Sequence, residues 1–96
     1  MKIHLSKFGS TLTSRQLGKE ALAAFQPSLR SVGQDEIVEV DFDGVITFSP
    51  SWGDEFLTPL ARDYEGRMKL SHTKNPSVSL SLKLLEEVNG IHFEIQ

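Results

Sequence analysis

Two serines near the middle of the chain have the spacing and the neighbours of a regulatory site. Ser49 and Ser51 flank Pro50, and the chain continues Trp52-Gly53-Asp54-Glu55. Proline is well tolerated at the first position of a helix, so this run predicts a helix start. A serine hydroxyl at that position can cap the free amides, or it can carry a phosphate that the helix dipole favours. The residues alone leave both interpretations open, and the cap is the commoner of the two.

A pair of aspartates precedes these serines, in the run Asp41-Phe42-Asp43-Gly44-Val45. This run resembles the nucleophile motif of haloacid-dehalogenase-like phosphatases. The resemblance implies an attacking carboxylate at Asp41, an acid/base at Asp43 and Mg²⁺ as the cofactor. Such an enzyme also needs an acidic pair after a later strand, whereas Glu86-Glu87 lies inside a predicted helix. Glycine after aspartate is also ordinary turn chemistry, so the phosphatase is the alternative interpretation.

The other reactive residues form no recognisable catalytic or metal-binding pattern. His4, His72 and His92 have no carboxylate or second histidine at the helical spacing that organises a metal site. His4 and His92 would be neighbours only if the first and last strands paired. The chain has no Gly-x-Ser-x-Gly elbow, and its glycines are too far apart to cradle a phosphate. We therefore predict no catalytic residue, no metal and no cofactor.

Composition restricts the class of protein. The 96 residues make one predicted domain, 1–96, with enough apolar residues for a single core. There is no cysteine, no signal-like apolar run and no stretch near the ~20 apolar residues of a membrane span. The formal net charge of -3 argues against nucleic acid as a partner. A cytoplasmic protein is the expectation.

The first half of the chain predicts a strand, a helix and a second strand. Residues 2–8 alternate polar and apolar, which is typical of a strand buried on one face. Thr13 or Ser14 can cap a helix that Pro27 should end or kink near Gln26. The apolar stripe predicted for this helix is Leu17, Ala21, Ala24 and Phe25. Residues 37–42 are almost continuously apolar and predict a strand that is buried on both faces.

The second half predicts two more helices and two more strands. The helix that starts at Ser49-Pro50 should bear Asp54 and Glu55 at its positive end and a kink at Pro59. Its predicted apolar face consists of Trp52, Phe56, Leu57, Leu60, Ala61 and Tyr64. Residues 67–71 predict a third strand. Residues 77–84 alternate like a strand, but caps at Asn75-Pro76 and Asn89-Gly90 favour a helix. Residues 91–95 predict the last strand.

A family resemblance covers most of the chain, from about Lys2 to Phe93. The segments that carry it are Val40-Asp41-Phe42-Asp43-Gly44-Val45 and Phe48-Ser49-Pro50-Ser51-Trp52-Gly53-Asp54-Glu55-Phe56. Together they resemble the STAS-like α/β domain family of unknown function. Its members have Asp-Phe-x-Gly-Val on a strand, then a serine and an aromatic residue, then a small residue with Asp-Glu. Their earlier Ser-Arg is matched by Ser14-Arg15, whereas Trp52 stands where phenylalanine is expected.

That family is in turn similar to the STAS domains of bacterial anti-sigma-factor antagonists. In those domains an Asp-Ser-Ser-Gly motif lies at a helix N-terminus, and its second serine is phosphorylated by a kinase with a histidine-kinase-type ATPase fold. Aligned through Val45, Ser51 takes the place of that serine. Ser49 takes the place of the aspartate, which is a departure from the pattern. The resemblance implies a protein partner, either an ATPase-domain kinase or an anti-sigma-like regulator.

We therefore expect an α/β domain, on the border of α+β, with a STAS-like fold. The predicted architecture is a four-stranded mixed sheet and three helices in the order β-α-β-α-β-α-β. The predicted function is non-enzymatic: a regulatory module that docks a partner around Ser51, with Ser49 as the second phosphoacceptor candidate. The candidate partner-binding residues are Arg15, Trp52, Asp54 and Glu55. A purely structural domain, in which the serines are only caps, is the third interpretation.

Overall fold

The computed structural model describes residues 1–96, and its main elements follow the predicted order. The strands are β1 (Lys2–His4), β2 (Thr11–Leu12), β3 (Val38–Asp41), β4 (Thr47–Phe48), β5 (Met68–Leu70) and β6 (Glu94–Ile95). The helices are α1 (Arg15–Leu29), α2 (Pro50–Asp63) and α3 (Pro76–Asn89), with a short 3₁₀ helix at Leu5–Phe8. Without β2 and β4, which the sequence did not indicate, the order is β-α-β-α-β-α-β. The α/β class is confirmed.

The main sheet is parallel throughout. Its strand order is β1-β3-β5-β6, and each neighbouring pair runs in the same direction. The predicted mixed sheet is therefore wrong. Each helix carries the chain back to the end of the sheet where the previous strand began, so the next strand repeats its direction. The short strands β2 and β4 form a second parallel pair of their own.

Only one face of the main sheet is buried. In β3, Val38 and Val40 are buried, while Glu39 and Asp41 between them are partly exposed. Successive side chains of a strand point to opposite faces, so the apolar set packs under the helices and the charged set faces outward. Burial of residues 37–42 on both faces, as the apolar run predicted, is wrong. Ile37 lies before the strand and is exposed.

The open face carries a row of alternating charges. Lys2 is in register with Glu39, Glu39 with Lys69, and Lys69 with Glu94. The ammonium group of Lys69 forms an ion pair with the Glu94 carboxylate. Opposite charges on adjacent strands attract, so the row is compatible with a hydrated sheet face. The face is close to neutral and offers no basic patch.

The outer strands are shorter than predicted. The alternation over residues 2–8 belongs to β1 and then to the 3₁₀ helix, whose Leu5 is fully buried. The last strand consists of Glu94–Ile95 rather than residues 91–95. Both strands lie at the edges of the sheet, where each has a partner on one side only. Alternation shows which residues face the core, but it does not distinguish a short strand from a 3₁₀ turn.

Helix α1 begins at the predicted cap but ends later than predicted. Ser14 Oγ accepts a hydrogen bond from the Leu17 amide at 3.2 Å. The helix continues through Pro27 to Leu29, which is buried. Pro27 lies in the last turn, where it removes one helical bond while Leu29 still packs on the core. The predicted stripe is also displaced, because Leu17 is exposed, as is Ala24. The buried residues of α1 are Gly18, Phe25 and Leu29.

Helices α2 and α3 have the predicted caps. Helix α2 starts at Pro50 behind the Ser49 cap and runs through Pro59 to Asp63. The helical interpretation of residues 77–84 is confirmed, since α3 runs from the Asn75 cap to Gly90 in the left-handed conformation. None of the three helices combines the length and the apolar composition needed to span a bilayer.

Candidate functional site

The entrances of α1 and α2 lie side by side. Strand β2 leads into α1 and strand β4 leads into α2, and Leu12 is in register with Phe48 in this parallel pair. Beyond the pair, the Ser49 amide donates to the Leu12 carbonyl at 2.9 Å. The Ser49 hydroxyl donates to the Thr13 carbonyl at 2.8 Å. The N-termini of α1 and α2, which are the positive ends of both helices, are therefore held together.

The two candidate serines have different environments. Ser49 is the N-cap, and its Oγ also accepts from the Trp52 amide at 3.4 Å. Ser51 is the second residue of the helix, is partly exposed, and has no side-chain hydrogen bond. The cap serves the amide of Trp52, the third residue of the helix, as an N-cap side chain normally does. Ser49 therefore has a structural role, whereas the structure assigns no internal contact to the Ser51 hydroxyl.

Arg15, Asp54 and Glu55 are brought together. One guanidinium nitrogen of Arg15, Nη1, lies 2.9 Å from Asp54 Oδ2 and 3.0 Å from Glu55 Oε1. Hydrogen bonding to Asp54 and then to Glu55 raises the pKa of Arg15 above its ordinary value. The hydrogen bond from Arg15 lowers the pKa of Asp54, helped by the side-chain amide of Asn89 at 3.2 Å.

The two carboxylates do not occupy the predicted place in the helix. The first turn of α2 contains no acidic residue, because Asp54 and Glu55 lie in the second turn. They are therefore not paired with the free amides at the helix start. Their charges are partly neutralised by Arg15, which starts α1. Asp54, Glu55 and Ser51 lie on one side of the helix, since residues three and four positions apart are neighbours.

Trp52 is a core residue. Its exposed fraction is 1 %, and its ring stacks on Phe56 with centroids 4.9 Å apart. Phe8 and Phe48 approach the same indole at 6.0 and 5.8 Å. The placement of Trp52 on the partner-binding face is therefore wrong. At the third position of α2, its side chain points into the space between the sheet and the helices rather than to the rim.

Two glycines allow the helices to approach this closely. A Cβ at Gly18 would lie 2.7 Å from the Trp52 carbonyl oxygen, so α1 meets α2 at backbone distance. A Cβ at Gly53 would lie 2.9 Å from side-chain carbons of both Leu85 and Phe48. Both distances are shorter than real Cβ contacts. Gly18 therefore determines how near α1, which Arg15 starts, can lie to α2, and Gly53 determines how near α2 can lie to α3 and β4.

Asn75 makes a second contact that the sequence did not reveal. It was predicted as the cap of α3, and its Oδ1 does accept from the Ser77 amide at 2.9 Å. Its Nδ2 also donates to the carbonyls of Val45 and Ile46, each at 2.9 Å. Asn75 therefore fastens the β3–β4 connection to the start of α3. The Asn-Pro pair signalled the cap, but nothing in the sequence indicated the second contact.

Asp41 lies at the end of β3, in a polar cleft of about 500 Å³ that also contains Asp43, His72, Lys74 and Asn75. Its Oδ1 accepts from the Asp43 amide at 3.0 Å and from the Ser71 hydroxyl at 3.3 Å. The Asp43 amide is the main cause of a lowered Asp41 pKa, with smaller contributions from Ser71, Lys2 and His4. This geometry is a turn in which an aspartate bonds the backbone two residues on.

His4 and His92 do not form the neighbouring pair that a joint metal site would need. His4 lies on β1 and His92 just before β6, at opposite edges of the sheet, so these two side chains are not neighbours. His4 Nδ1 lies 3.2 Å from Asp41 Oδ2, and His92 Nδ1 lies 3.1 Å from Glu86 Oε2. No group of three or more histidine or acidic side chains is arranged to hold a metal ion.

Comparison with known proteins finds no match for this chain. No protein-family model, no curated protein and no solved structure matches it. The STAS-like resemblance therefore stays a prediction from the residues quoted above. What the structure adds is the position of those residues, with Arg15, Ser51, Asp54 and Glu55 on one surface and Trp52 below it.

Proposed function

We propose that this chain is a non-enzymatic interaction module that binds a protein partner at the start of α2. The binding surface consists of Arg15, Ser51, Asp54 and Glu55, which we call the Ser51 face. Its regulatory residue is Ser51, through phosphorylation of the hydroxyl. The partner class is an ATPase-domain kinase or an anti-sigma-like regulator. That class comes from the STAS-like resemblance of the segments around Ser51.

One observation carries the proposal: the Ser51 hydroxyl is partly exposed at a helix N-terminus and makes no internal hydrogen bond. The nearby Ser49 hydroxyl already both donates and accepts. A kinase could therefore modify Ser51 without breaking the cap. Modification of Ser49 would remove the donor to Thr13 and disturb the contact between the entrances of α1 and α2.

The charges of the Ser51 face suit a switch. A phosphate adds about -1.5 to -2 charges at pH 7 and three acceptor oxygens. On Ser51 it would stand at the positive end of α2, one turn before Asp54 and Glu55. Those carboxylates repel it, while the Arg15 guanidinium, which is more than half exposed, attracts it. Phosphate and carboxylates would then compete for Arg15, and the surface presented to a partner would change.

The test measures partner binding by Ser51 variants. Wild type, Ser51→Ala and Ser51→Glu serve as bait for proteins of the native cell, with quantitative mass spectrometry of what each retains. We expect Ser51→Glu to lose or gain a specific partner relative to the other two. Mass spectrometry of this protein isolated from its native cell should also detect a peptide phosphorylated on Ser51.

A matched control separates a site effect from a charge effect. Ser79 is exposed near the start of α3, so Ser79→Glu adds the same charge at a helix of similar length. It should retain the wild-type set of partners. Equal recovery of every partner by wild type, Ser51→Ala and Ser51→Glu would refute the switch. Equal effects of Ser51→Glu and Ser79→Glu would show that net charge alone is responsible.

The alternative, a Mg²⁺-dependent phosphatase using Asp41 and Asp43, finds no support in the geometry. Asp41 Oδ1 is occupied by the Asp43 amide and the Ser71 hydroxyl. No second acidic pair stands near it, and Asp43 contributes its amide rather than its carboxylate to this contact. Turnover of a phosphoester that requires Mg²⁺ and is lost in Asp41→Asn would reverse this preference.

A further inference from the structure

The outer side of α3 carries a stripe of exposed apolar side chains. Leu80, Leu84 and Val88 are 71 %, 45 % and 72 % exposed. Their four-residue spacing places them on one side of the helix. The buried residues of α3 are Val78, Ser81, Leu82 and Leu85, which point elsewhere. This side therefore makes no contribution to the core of the chain.

Nothing within the chain covers this stripe. Helix α2 lies between α1 and α3, so α3 is the outer helix of the layer and contacts α2 and β4. Ile46 is also 71 % exposed, and its carbonyl accepts from Asn75 at the entrance of α3. Contiguous exposed apolar side chains on one surface typically mark an interaction site.

Two charged side chains lie beside the stripe. Lys83 follows Leu80 by three residues, and Glu87 follows Leu84 by three, so both lie along the same edge of the stripe. Neither side chain forms an ion pair or a hydrogen bond within the chain, although Glu86 between them contacts the Phe93 amide. A free positive charge is thus followed, one turn later, by a free negative charge.

This pattern is complementary to itself in an antiparallel arrangement. If Leu84 faces Leu84 of a second copy, then Leu80 faces Val88 of that copy. With a rise of about 1.5 Å per residue, Lys83 then lies about 3 Å along the axis from Glu87 of the second copy. A two-fold axis generates the same pair a second time, with Glu87 of the first copy beside Lys83 of the second copy. In a parallel two-fold arrangement this edge of one copy would lie on the opposite side of the contact from the same edge of the other copy, so Lys83 and Glu87 would not meet.

We propose that this chain forms a two-fold symmetric dimer through α3. Apolar contact between the stripes drives the association, and the reciprocal Lys83–Glu87 pairs select the antiparallel orientation. The α3 interface is distinct from the Ser51 face, which lies on α1 and α2. A dimer would present two Ser51 faces, so a partner that carries two matching sites would bind it bivalently.

Sedimentation equilibrium of the full chain from about 1 μM to about 1 mM tests the dimer. We expect a concentration-dependent monomer–dimer equilibrium for the wild type. Leu84→Asp should weaken it by about tenfold or more, because a charge would be buried at the centre of the interface. Leu17→Asp is the matched control, since Leu17 is an exposed leucine on α1, at 57 % against 45 % for Leu84. It should leave the dissociation constant unchanged.

Charge variants test the orientation. Lys83→Glu and Glu87→Lys should each dimerise about tenfold more weakly than the wild type, since each brings like charges together. An equimolar mixture of these two variants should dimerise again, as should the double swap Lys83→Glu/Glu87→Lys. These variants should keep the wild-type circular dichroism spectrum, because both positions are exposed.

Three outcomes would overturn the inference. They are a wild type that remains monomeric over the whole range, a dimer that tolerates Leu84→Asp, and a mixture of the charge variants that stays monomeric. None of them bears on partner binding by the Ser51 variants, which uses another surface. Conversely, failure of the Ser51 switch would leave the dimer test unchanged.

Discussion

The Arg15 guanidinium and the Asp54 carboxylate meet at 2.9 Å although 39 residues separate them in the chain. Arg15 is the first residue of α1, and Asp54 lies in the second turn of α2. The contact therefore joins the two helices at the surface, directly above the place where Gly18 approaches Trp52 inside. Asn89 of α3 binds the other oxygen of the same carboxylate at 3.2 Å, so Asp54 links three helices.

This contact makes stability depend on pH in a defined direction. The pKa of Asp54 is lower in the folded protein than in the unfolded chain, chiefly through Arg15. Its contribution is fully present above the unfolded pKa, near 4, and is lost as the pH falls through the folded pKa. Asp54→Asn should be less stable than the wild type at neutral pH, and the difference should shrink in acid. Urea unfolding at about pH 7 and about pH 3 measures both.

The control for this prediction is Asp63→Asn on the same helix. Asp63 is exposed, forms no ion pair and ends the helix, where a carboxylate is not favoured, so this variant should lose no stability at either pH value. A difference between Asp54→Asn and wild type that is as large in acid as at neutral pH would show that the carboxylate charge does not matter. The role of Asp54 would then be hydrogen bonding to Asn89 alone.

Ser49 and Ser51 should contribute differently to the unfolding free energy. Ser49→Ala removes the cap of α2 and the bond to Thr13, so we expect a loss of about 1 kcal/mol or more in unfolding free energy. Ser51→Ala removes no internal bond and should stay within about 0.5 kcal/mol of the wild type. Chemical denaturation of both variants decides the matter. An equal loss for both would mean that Ser51 also has a structural role.

Gly18→Ala should destabilise the protein although alanine favours helices. The added methyl would meet the Trp52 carbonyl oxygen at 2.7 Å, and backbone cannot move aside as a flexible side chain can. Overpacking costs about 1–3 kcal/mol, and the helix propensity of alanine returns at most about 1 kcal/mol. The neighbouring exposed substitution Lys19→Ala is the control, with an expected change within about 0.5 kcal/mol. A Gly18→Ala variant that is more stable than the wild type would contradict the close approach.

Trp52→Ala should lower the unfolding free energy by about 3–5 kcal/mol, the cost of truncating a buried aromatic side chain. Truncation of a tryptophan on an exposed docking face would lower the unfolding free energy far less. Trp52 is the single tryptophan of the chain, so its fluorescence reports on this position without labelling. The native protein should show blue-shifted emission that acrylamide quenches weakly. Strong quenching in the native state would place the indole at the surface.

The caps and turns were readable from the sequence because each is a local signal. Ser14, Ser49-Pro50 and Asn75-Pro76 mark the helix starts, and Gly90 marks the end of α3. A side-chain oxygen that satisfies a free amide, or a glycine that takes a left-handed conformation, acts within a few residues. The order of main elements followed from these marks and from the apolar segments between them.

The sheet and the interior could not be read in this way. Alternation shows that one side of a strand is apolar, but it does not tell which strand lies next to it or in which direction. The parallel pairings of β1 with β3 and of β2 with β4 join residues far apart in the chain. The same limit applies to Trp52, which stands three residues from the Ser49 cap and was predicted both for the apolar face of α2 and for the partner-binding residues. Its burial depends on the aromatic residues around it.

By itself, the sequence determined where the helices start and that Ser49 and Ser51 stand at one of those starts. The tertiary structure alone decided what each neighbour does. It bonded the Ser49 hydroxyl to the Thr13 carbonyl, left the Ser51 hydroxyl without an internal hydrogen bond, and buried Trp52. It also brought Arg15 onto Asp54 and Glu55. The physical reason is range: a cap acts over three residues, whereas packing of α1 on α2 depends on strands and glycines elsewhere in the chain.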